Sequence, residues 1–314
     1  MDQEKEQAIK HLAYLKSIIE ALQSPKSIKV QLLRKNGGGS SLQYYLREID
    51  IEPLESLKEF IRDISRKYEE ELKRAESADQ YTGDIVKGCI YRLPVNDQLI
   101  DEPFRKLKEK TNHPAKEGDV LEGRWDALLI MCRVRIDGQE KPVMLVSMRS
   151  PVSVLHNKFI FSEEDRFEEL TKPVLTLNRS LDAVIAGGTF YMLTMQAENL
   201  FDMERSYKNR CKDKVREIIE MEILSNSAVF DKVAKRGQNP RRFVSFNQRR
   251  LEAITTDKDR RRYLRKFNIR VVQGRIDTDD PQNCERLIKF LCDKAMLDPV
   301  DNEPREVAAA KRWS

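Results

Sequence analysis

Two helical hydrophobic patterns frame two short apolar stretches in the first part of the chain. The first pattern places apolar residues three or four positions apart, the spacing of one helix face: Ala8, Leu12, Leu15, Ile19 and Leu22. A second pattern of the same spacing runs from Leu54 to Leu72. Between them, the stretches SIKVQLLRK and LQYYLREID read as strands. The glycines Gly37 to Gly39 predict the turn between these strands, since the loop lacks the Gly-Lys-Ser/Thr ending of a phosphate loop.

From about Asp119 the pattern changes to strands. Asp137-Gly138 and Gly187-Gly188 each lie between two apolar stretches, which is a strong signal for a β-hairpin. With NKFIF at 157–161 and VLTL at 174–177, these hairpins predict a mainly antiparallel sheet.

Helical patterns return after the sheet. We expect helices in SYKNRCKDKVREIIEMEI, at 247–254 and at 257–267, and a last helix that begins at Pro281. Strands are expected at 269–272 and in REVAAAKRW. The predicted fold class is therefore α+β, a mainly antiparallel sheet with flanking helices.

The chain has 314 residues, of which 40% are hydrophobic, enough for one large or two modest domains. We predict a helical and mixed region at 1–118 and an α+β core at 119–314. The two helical seams of the first region predict dimer or partner contacts, and the alternative is that the two helices pair with each other.

Positive charge is concentrated in the C-terminal third. Residues 1–204 contain 30 basic and 35 acidic side chains, whereas 205–314 contain 27 and 17. Between Lys232 and Arg275, fifteen Lys and Arg residues face only three acidic ones. This excess predicts a polyanion partner, and the many arginines favour phosphate because guanidinium binds oxygens bidentately. Nucleic acid is the first interpretation, and an anionic membrane surface, an acidic protein or a solvated face are the alternatives.

The candidate DNA-binding residues come from this region. We call Lys232 to Arg275 the charge run, and the cations from Arg205 to Arg216 on the preceding helix the basic stripe. The candidates from both are Arg205, Lys208, Lys212, Arg216, Lys232, Lys235, Arg236, Arg241, Arg242, Arg249, Arg250, Arg260, Arg261 and Arg262. The pattern shows no helix-turn-helix, zinc finger or basic zipper, so we expect backbone contacts without base specificity. As exposed charges, Arg241 and Arg242 are expected to contribute little to stability.

Aromatic residues within the run bear on the kind of nucleic acid. Phe243, Phe246, Tyr263 and Phe267 could stack on unpaired bases, as in single-strand binders. They are also the large apolar residues that a very polar segment needs in order to pack. We therefore predict that they are core residues and that duplex DNA is the ligand.

Catalytic and metal-binding patterns are weak. His11, His113 and His156 stand alone, without the spacing of a nucleophile system. Asp137, Glu140 and Lys141 come closest to a metal-dependent nuclease, but Glu140 and Lys141 are adjacent and would point to opposite faces of a strand. We expect no catalytic residue, metal or cofactor, with a nuclease as the alternative function.

The expected location is the cytoplasm. The longest apolar run, Ala127 to Cys132, is too short for a membrane helix, and the N-terminal residues lack the pattern of a signal peptide. Five cysteines without a Cys-x-x-Cys pair predict reduced thiols rather than disulfides or a zinc site.

Several segments resemble a known family. LDAVIAGG, TFYML, ENLFDMERSYKNR, NCERLIKFLCDKAML and AAAKRW are similar to the KwaB family, the DNA-binding component of the bacterial Kiwa antiphage system. The resemblance implies a homodimer that binds double-stranded DNA and restrains incoming phage DNA. It also implies a membrane protein partner, KwaA, which would hold the chain at the inner membrane. It carries over no active-site residue.

Overall fold

The structure is a computed structural model that describes residues 3–49, 51–83, 89–109, 125–148, 160–163, 166–169, 179–256, 264–298 and 303–306. Its contacts divide the chain into two compact units. The sheet unit comprises Gln3–Gln80 and Gly88–Asp202, and the basic unit comprises Tyr81–Lys87 and Met203–Ser314. The boundary predicted between 118 and 119 lies outside the described residues.

Within the described residues, the helices of the sheet unit are α1 (Gln3–Ala21), α2 (Leu54–Lys73), α3 (Asp101–Lys108) and α4 (Ala197–Leu200). Its strands are β1 (Ser27–Asn36), β2 (Gln43–Ile49), β3 (Ala78–Gln80), β4 (Ile90–Pro94), β5 (Ala127–Ile136), β6 (Gln139–Ser147), β7 (Ile160–Glu163), β8 (Arg166–Glu169), β9 (Ala183–Ala186) and β10 (Thr189–Met192).

One eight-stranded sheet organises this unit, in the order β2-β1-β5-β6-β9-β10-β4-β3. All neighbours are antiparallel except β3 and β4, which are parallel. The α+β class is confirmed, and so are the hairpins at Asp137-Gly138 and Gly187-Gly188. Ile160 and Phe161, the last residues of NKFIF, are not in this sheet, because β7 pairs with β8 in a separate two-stranded sheet. Residues 157–159 lie outside the described residues. VLTL lies outside the described residues.

The seams of α1 and α2 are buried within the chain. Leu15 and Ile18 of α1 share one core with Ile61 and Ile64 of α2 and with the inward side chains of the sheet. Each such side chain contributes roughly 1.5–3 kcal/mol when it leaves water. The two helices therefore pack on one another and on the sheet within one chain, which is the alternative arrangement, whereas Leu54 at the start of the second pattern is exposed. Dimer or partner contacts of this region stay a prediction.

The basic unit is largely helical: α5 (Met203–Glu220), α6 (Ser227–Ala234), α7 (Asn239–Arg242), α8 (Gln248–Thr256) and α9 (Pro281–Leu291), with 3₁₀ turns at Phe243–Ser245 and Leu264–Phe267. Two small antiparallel pairs complete it, β11 (Val271–Val272) with β12 (Arg275–Ile276) and β13 (Ala295–Leu297) with β14 (Pro304–Glu306).

Helix ends in this unit carry the expected caps. Asn226 accepts a hydrogen bond from Val229 N at the start of α6, and Asp280 accepts from Gln282 N at the start of α9, next to the predicted Pro281. The predicted helix at 257–267 is a 3₁₀ turn at its end, and 257–263 lies outside the described residues.

Aromatic side chains of the charge run form the core of the basic unit. Phe243 is fully buried and stacks on the partly buried Phe246, with ring centroids 5.9 Å apart. Phe267 packs edge-to-face on Phe290 at 4.9 Å. The prediction that Phe243, Phe246 and Phe267 are core residues is confirmed, whereas Tyr263 lies outside the described residues.

Candidate nucleic-acid interface

Helix α5 carries one apolar and one basic face. Tyr207, Cys211, Val215 and Ile218 are buried in the basic unit, in steps of three or four residues. Arg205, Lys208, Lys212 and Arg216 follow the same period on the exposed side. Burial of the apolar face therefore fixes the direction in which the predicted basic stripe points.

Only part of this stripe is available for a ligand. Lys208 forms an ion pair with Glu204, and Arg216 forms one with Asp213 at 3.2 Å. The hydrogen bond that the Lys208 ammonium donates to Glu204 raises the pKa of Lys208. The side chains of Arg205 and Lys212 have no hydrogen bond or ion pair within the described residues. These two cations are exposed without an internal counter-charge.

Contacts of α5 bring the charge run to this helix. The Cys211 thiol lies 3.5 Å from the Ala234 carbonyl at the end of α6. Arg241 of α7 lies over the Tyr207 ring, with its guanidinium carbon 5.4 Å from the ring centroid. Near the other end of α5, Lys214 Nζ donates to Gln248 at the start of α8 over 2.8 Å. Segments of the charge run therefore pack on α5, the helix that carries the basic stripe.

The charge run adds further cations without partners. Lys232 of α6, Arg236 after α6 and Arg249 of α8 are exposed, and their side chains make no hydrogen bond or ion pair within the described part of the chain. Lys235 differs, because its ammonium lies 2.6 Å from Asp231. Such exposed pairs contribute about 0–1 kcal/mol, so a phosphate could replace the carboxylate at small cost.

Arg242 is a structural residue. Its guanidinium lies 3.3 Å from Glu285 and 3.3 Å from Glu306, and it donates to Asn239 over 2.5 Å. The side chain is only 21% exposed. The expectation that Arg242 is an exposed charge is therefore wrong, and its contacts predict an effect on stability. The sequence hides this because both carboxylates lie more than 40 residues away.

Arg250 is also held internally. It pairs with Asp293 at 2.8 Å and donates to the Phe290 carbonyl over 2.6 Å, while its guanidinium lies over the Phe290 ring. It thereby joins α8 to the end of α9. The DNA-binding role of Arg250 stays a prediction, but these contacts place its charge against the protein.

Two cations that the candidate set omits belong beside it. Arg265 and Arg275 lie in the charge run, are exposed and lack a side-chain partner within the described residues. Arg265 lines a cavity of about 480 Å³ with Arg270 and Arg286. The local charge count was the signal that could have found them. Arg260, Arg261 and Arg262 lie outside the described residues.

The carboxylate pattern considered for a nuclease does not converge. Asp137 lies in the β5–β6 turn with φ at 50°, whereas Glu140 and Lys141 are consecutive residues of β6. Consecutive strand residues point to opposite faces of a sheet. Within the described ranges, no group of three His, Cys, Asp or Glu side chains could hold a metal ion. His113 and His156 lie outside the described residues.

The buried thiols are chemically quiet. All five cysteines are free, and Cys132, Cys211, Cys284 and Cys292 are buried. Burial raises the pKa of Cys132, Cys211 and Cys284 to about 12, and it raises that of Cys292 as well. These thiols therefore stay protonated at neutral pH, which fits the prediction of reduced core cysteines.

Fold and interface together define an α+β protein with a helical basic unit. In the part of the chain that the structure describes, no helix has the length and apolar composition to cross a membrane. The family described as Kiwa protein KwaB-like matches residues 131–298, more than half of the chain, and the chain belongs to this family. Membership makes it a component of the Kiwa antiphage defence system. No curated protein and no solved structure matches the chain.

The family match includes every candidate cation of the interface. It begins in β5, continues through β6, β9 and β10, and extends over the basic unit to β13. Helices α1 and α2 precede it. The candidate cations from Arg205 to Arg262 therefore all lie in the matched part.

We predict that replacing a paired arginine lowers stability, whereas replacing an exposed arginine does not. Arg242→Gln should lower the free energy of unfolding by about 1–3 kcal/mol, because Glu285 and Glu306 lose a charged partner in a poorly exposed position. Arg249→Gln, the matched control on an exposed site, should stay within about 0.5 kcal/mol of the wild type. Urea unfolding monitored by circular dichroism measures both values. Equal stability of the two variants would show that the Arg242 network contributes nothing.

Proposed function

We propose that the chain binds double-stranded DNA through the basic unit, without reading its sequence, and restrains phage DNA in Kiwa defence. The observation that carries this proposal is a set of seven exposed cations without side-chain partners among the described residues: Arg205, Lys212, Lys232, Arg236, Arg249, Arg265 and Arg275. A phosphate that meets such a cation displaces water and counterions, and breaks no internal ion pair.

The distribution of these cations supports a backbone-binding mode. They lie on several helices and turns rather than on one recognition helix. Contacts to phosphate position a duplex but carry no sequence information. Binding should therefore depend on salt and on duplex length, and hardly on base sequence.

Burial of the aromatics favours a duplex over a single strand. Stacking platforms for unpaired bases need exposed ring faces. Phe243 and Phe267 are buried, and Phe246 is partly buried beneath the Lys214 ammonium. The described aromatics of the charge run therefore support the core of the unit and leave the cations to contact DNA.

We propose a binding protein rather than an enzyme. Support comes from the carboxylates of the β5–β6 hairpin, which do not converge on one point. A metal-dependent nuclease is the second candidate function, and an experiment with divalent metal ions separates the two.

Family membership supports the proposed assembly. We propose that the chain acts in the cytoplasm as a homodimer, and that the membrane protein KwaA holds it at the inner membrane. The Kiwa family supports a system with more than one component. The buried seams of α1 and α2 do not supply the dimer contact, so the proposed dimer has to use another surface.

We predict that neutralising four cations weakens DNA binding for every sequence. The wild type should show a slope of log K against log salt near −5, as expected for about six phosphates per protomer. Changing Arg205, Lys212, Arg236 and Arg249 to Gln together should make the slope shallower by about 3–4 and leave thermal stability unchanged. Fluorescence anisotropy across salt concentrations, with two duplexes of unrelated sequence, measures these effects.

The matched control carries the same change of charge in the sheet unit. Lys16, Arg34, Arg133 and Arg135 are likewise exposed and without side-chain partners within the described residues. Changing these four to Gln should leave affinity and slope close to wild type. Equal losses in the two quadruple variants would mean that net charge alone drives binding and that the basic unit has no special role.

We predict that bound duplex stays intact with Mg²⁺ or Mn²⁺. The reason is the divergent direction of Glu140 and Lys141 on β6. Gel analysis of linear and supercoiled DNA after prolonged incubation tests this expectation. Cleavage that needs the metal and disappears in Glu140→Ala would establish the nuclease instead.

We predict a dimer in solution. Light scattering at micromolar concentration should give twice the mass of the 36.7 kDa chain. A helix-seam dimer is not expected, because Leu15 and Ile61 are fully buried in one chain. A monomeric mass over the whole concentration range would remove the dimer from the proposal.

A further inference from the structure

A cavity of about 450 Å³ lies in the sheet unit. Helix α1 lines it with Lys10, His11 and Tyr14, strand β6 with Lys141, and the β9–β10 hairpin with Gly187 and Thr189. The described lining contains no carboxylate. Its size falls in the range of about 300–1,000 Å³ that is typical of small-molecule sites.

His11 lines this cavity and contacts a buried tyrosine. Its Nδ1 lies 3.0 Å from the hydroxyl of Tyr191, a fully buried residue that also hydrogen-bonds Thr189. Burial raises the pKa of Tyr191 to about 12, so this hydroxyl keeps its proton. Burial and the nearby Arg92 lower the pKa of His11, so its ring is neutral at neutral pH. The contact with Tyr191 occupies Nδ1 and leaves Nε2 for another partner.

Lys141 and Tyr14 also line the cavity and contact one another. The Lys141 ammonium lies 5.2 Å from the centroid of the Tyr14 ring and has no ion-pair partner within the described residues. The ring holds the ammonium in place but carries no net charge, so an anion gains a full charge–charge attraction there. Lys10, the second ammonium, is paired with Glu6 at an exposed position.

Gly187 holds the Tyr14 hydroxyl at the cavity. Its φ of +57° suits glycine, and a Cβ there would lie 2.9 Å from the Tyr14 hydroxyl oxygen. The turn therefore needs glycine both for its backbone and for the approach of the tyrosine. Burial and the nearby Asp137 raise the pKa of Tyr14, which keeps its hydroxyl as a donor.

We propose that this cavity binds the phosphoryl group of a small molecule. The Lys141 ammonium, the His11 imidazole and the Tyr14 hydroxyl offer an anion several contacts, and Lys10 can leave its exposed pair with Glu6 at small cost. A phosphoryl group has three acceptor oxygens and carries more negative charge than a carboxylate. The rest of the cavity leaves room for the remainder of the ligand. This site uses none of the residues of the proposed DNA interface, so the two proposals stand independently.

Proton NMR of the histidine rings tests the site directly. The chain has only three histidines, so His11→Gln assigns the His11 resonance by its absence. Titration with pyrophosphate at constant pH and ionic strength should shift this resonance saturably, with a dissociation constant in the millimolar range or tighter. Inorganic phosphate, which has fewer oxygens, should bind more weakly. No saturable shift with either anion would overturn the proposal.

Variants separate this site from general attraction to basic surfaces. Lys141→Gln should weaken pyrophosphate binding about tenfold or more, since a charge-assisted contact is lost. Lys141→Arg keeps the charge and should retain most of the affinity, which also checks that the fold tolerates substitution. Lys16→Gln, on an exposed part of α1, and the quadruple variant of the basic unit should titrate like wild type. Equal affinity in Lys141→Gln and wild type would overturn the site.

Discussion

The Arg242 guanidinium joins three segments of the basic unit through ion pairs and hydrogen bonds. Arg242 contacts Glu285 of α9, Glu306 of β14 and Asn239 of its own helix, α7. Asn239 is itself buried and donates to the Val233 carbonyl of α6 over 2.8 Å. Guanidinium suits this position, since its five N–H donors reach several acceptors in one plane. Loss of the cation would remove a charged partner from both carboxylates and, among the described residues, leave Glu306 with Lys289 alone.

The cations of the basic unit fall into two groups, those paired within the protein and those available to a ligand. Arg242 and Arg250 form ion pairs with carboxylates and pack on the protein, so a ligand could bind them only by displacing these contacts. Arg205 and Arg249 have no such carboxylate within the described residues. Lys208 is an intermediate case, because a phosphate could replace Glu204 in its exposed ion pair at little cost. Charge along the sequence measures both populations together, whereas binding depends on the second alone.

Local signals predicted the elements of the fold better than their partners. The turns at Asp137-Gly138 and Gly187-Gly188 act over two residues, and both hairpins form as predicted. Pro281 likewise begins the last helix, because its ring suits the first helical position. The parallel pairing of β3 with β4 carries no comparable signal, since it depends on how distant strands meet. The seam of α1 specifies an apolar partner but not which one, and the partner is α2 with the sheet rather than a second chain.

Binding sites are harder to predict than elements because they join residues that no local pattern connects. The residue pair His11 and Tyr191 is separated by 180 positions, and Lys141 reaches Tyr14 from another element. The sequence marks Gly187 as a turn residue, and it says nothing of the tyrosine that presses on this glycine. A charge cluster in sequence finds surfaces for long polyanions, whose many weak contacts add up over a broad area. A cavity for a small anion needs only a few donors, and these become visible only when the sheet has brought them together.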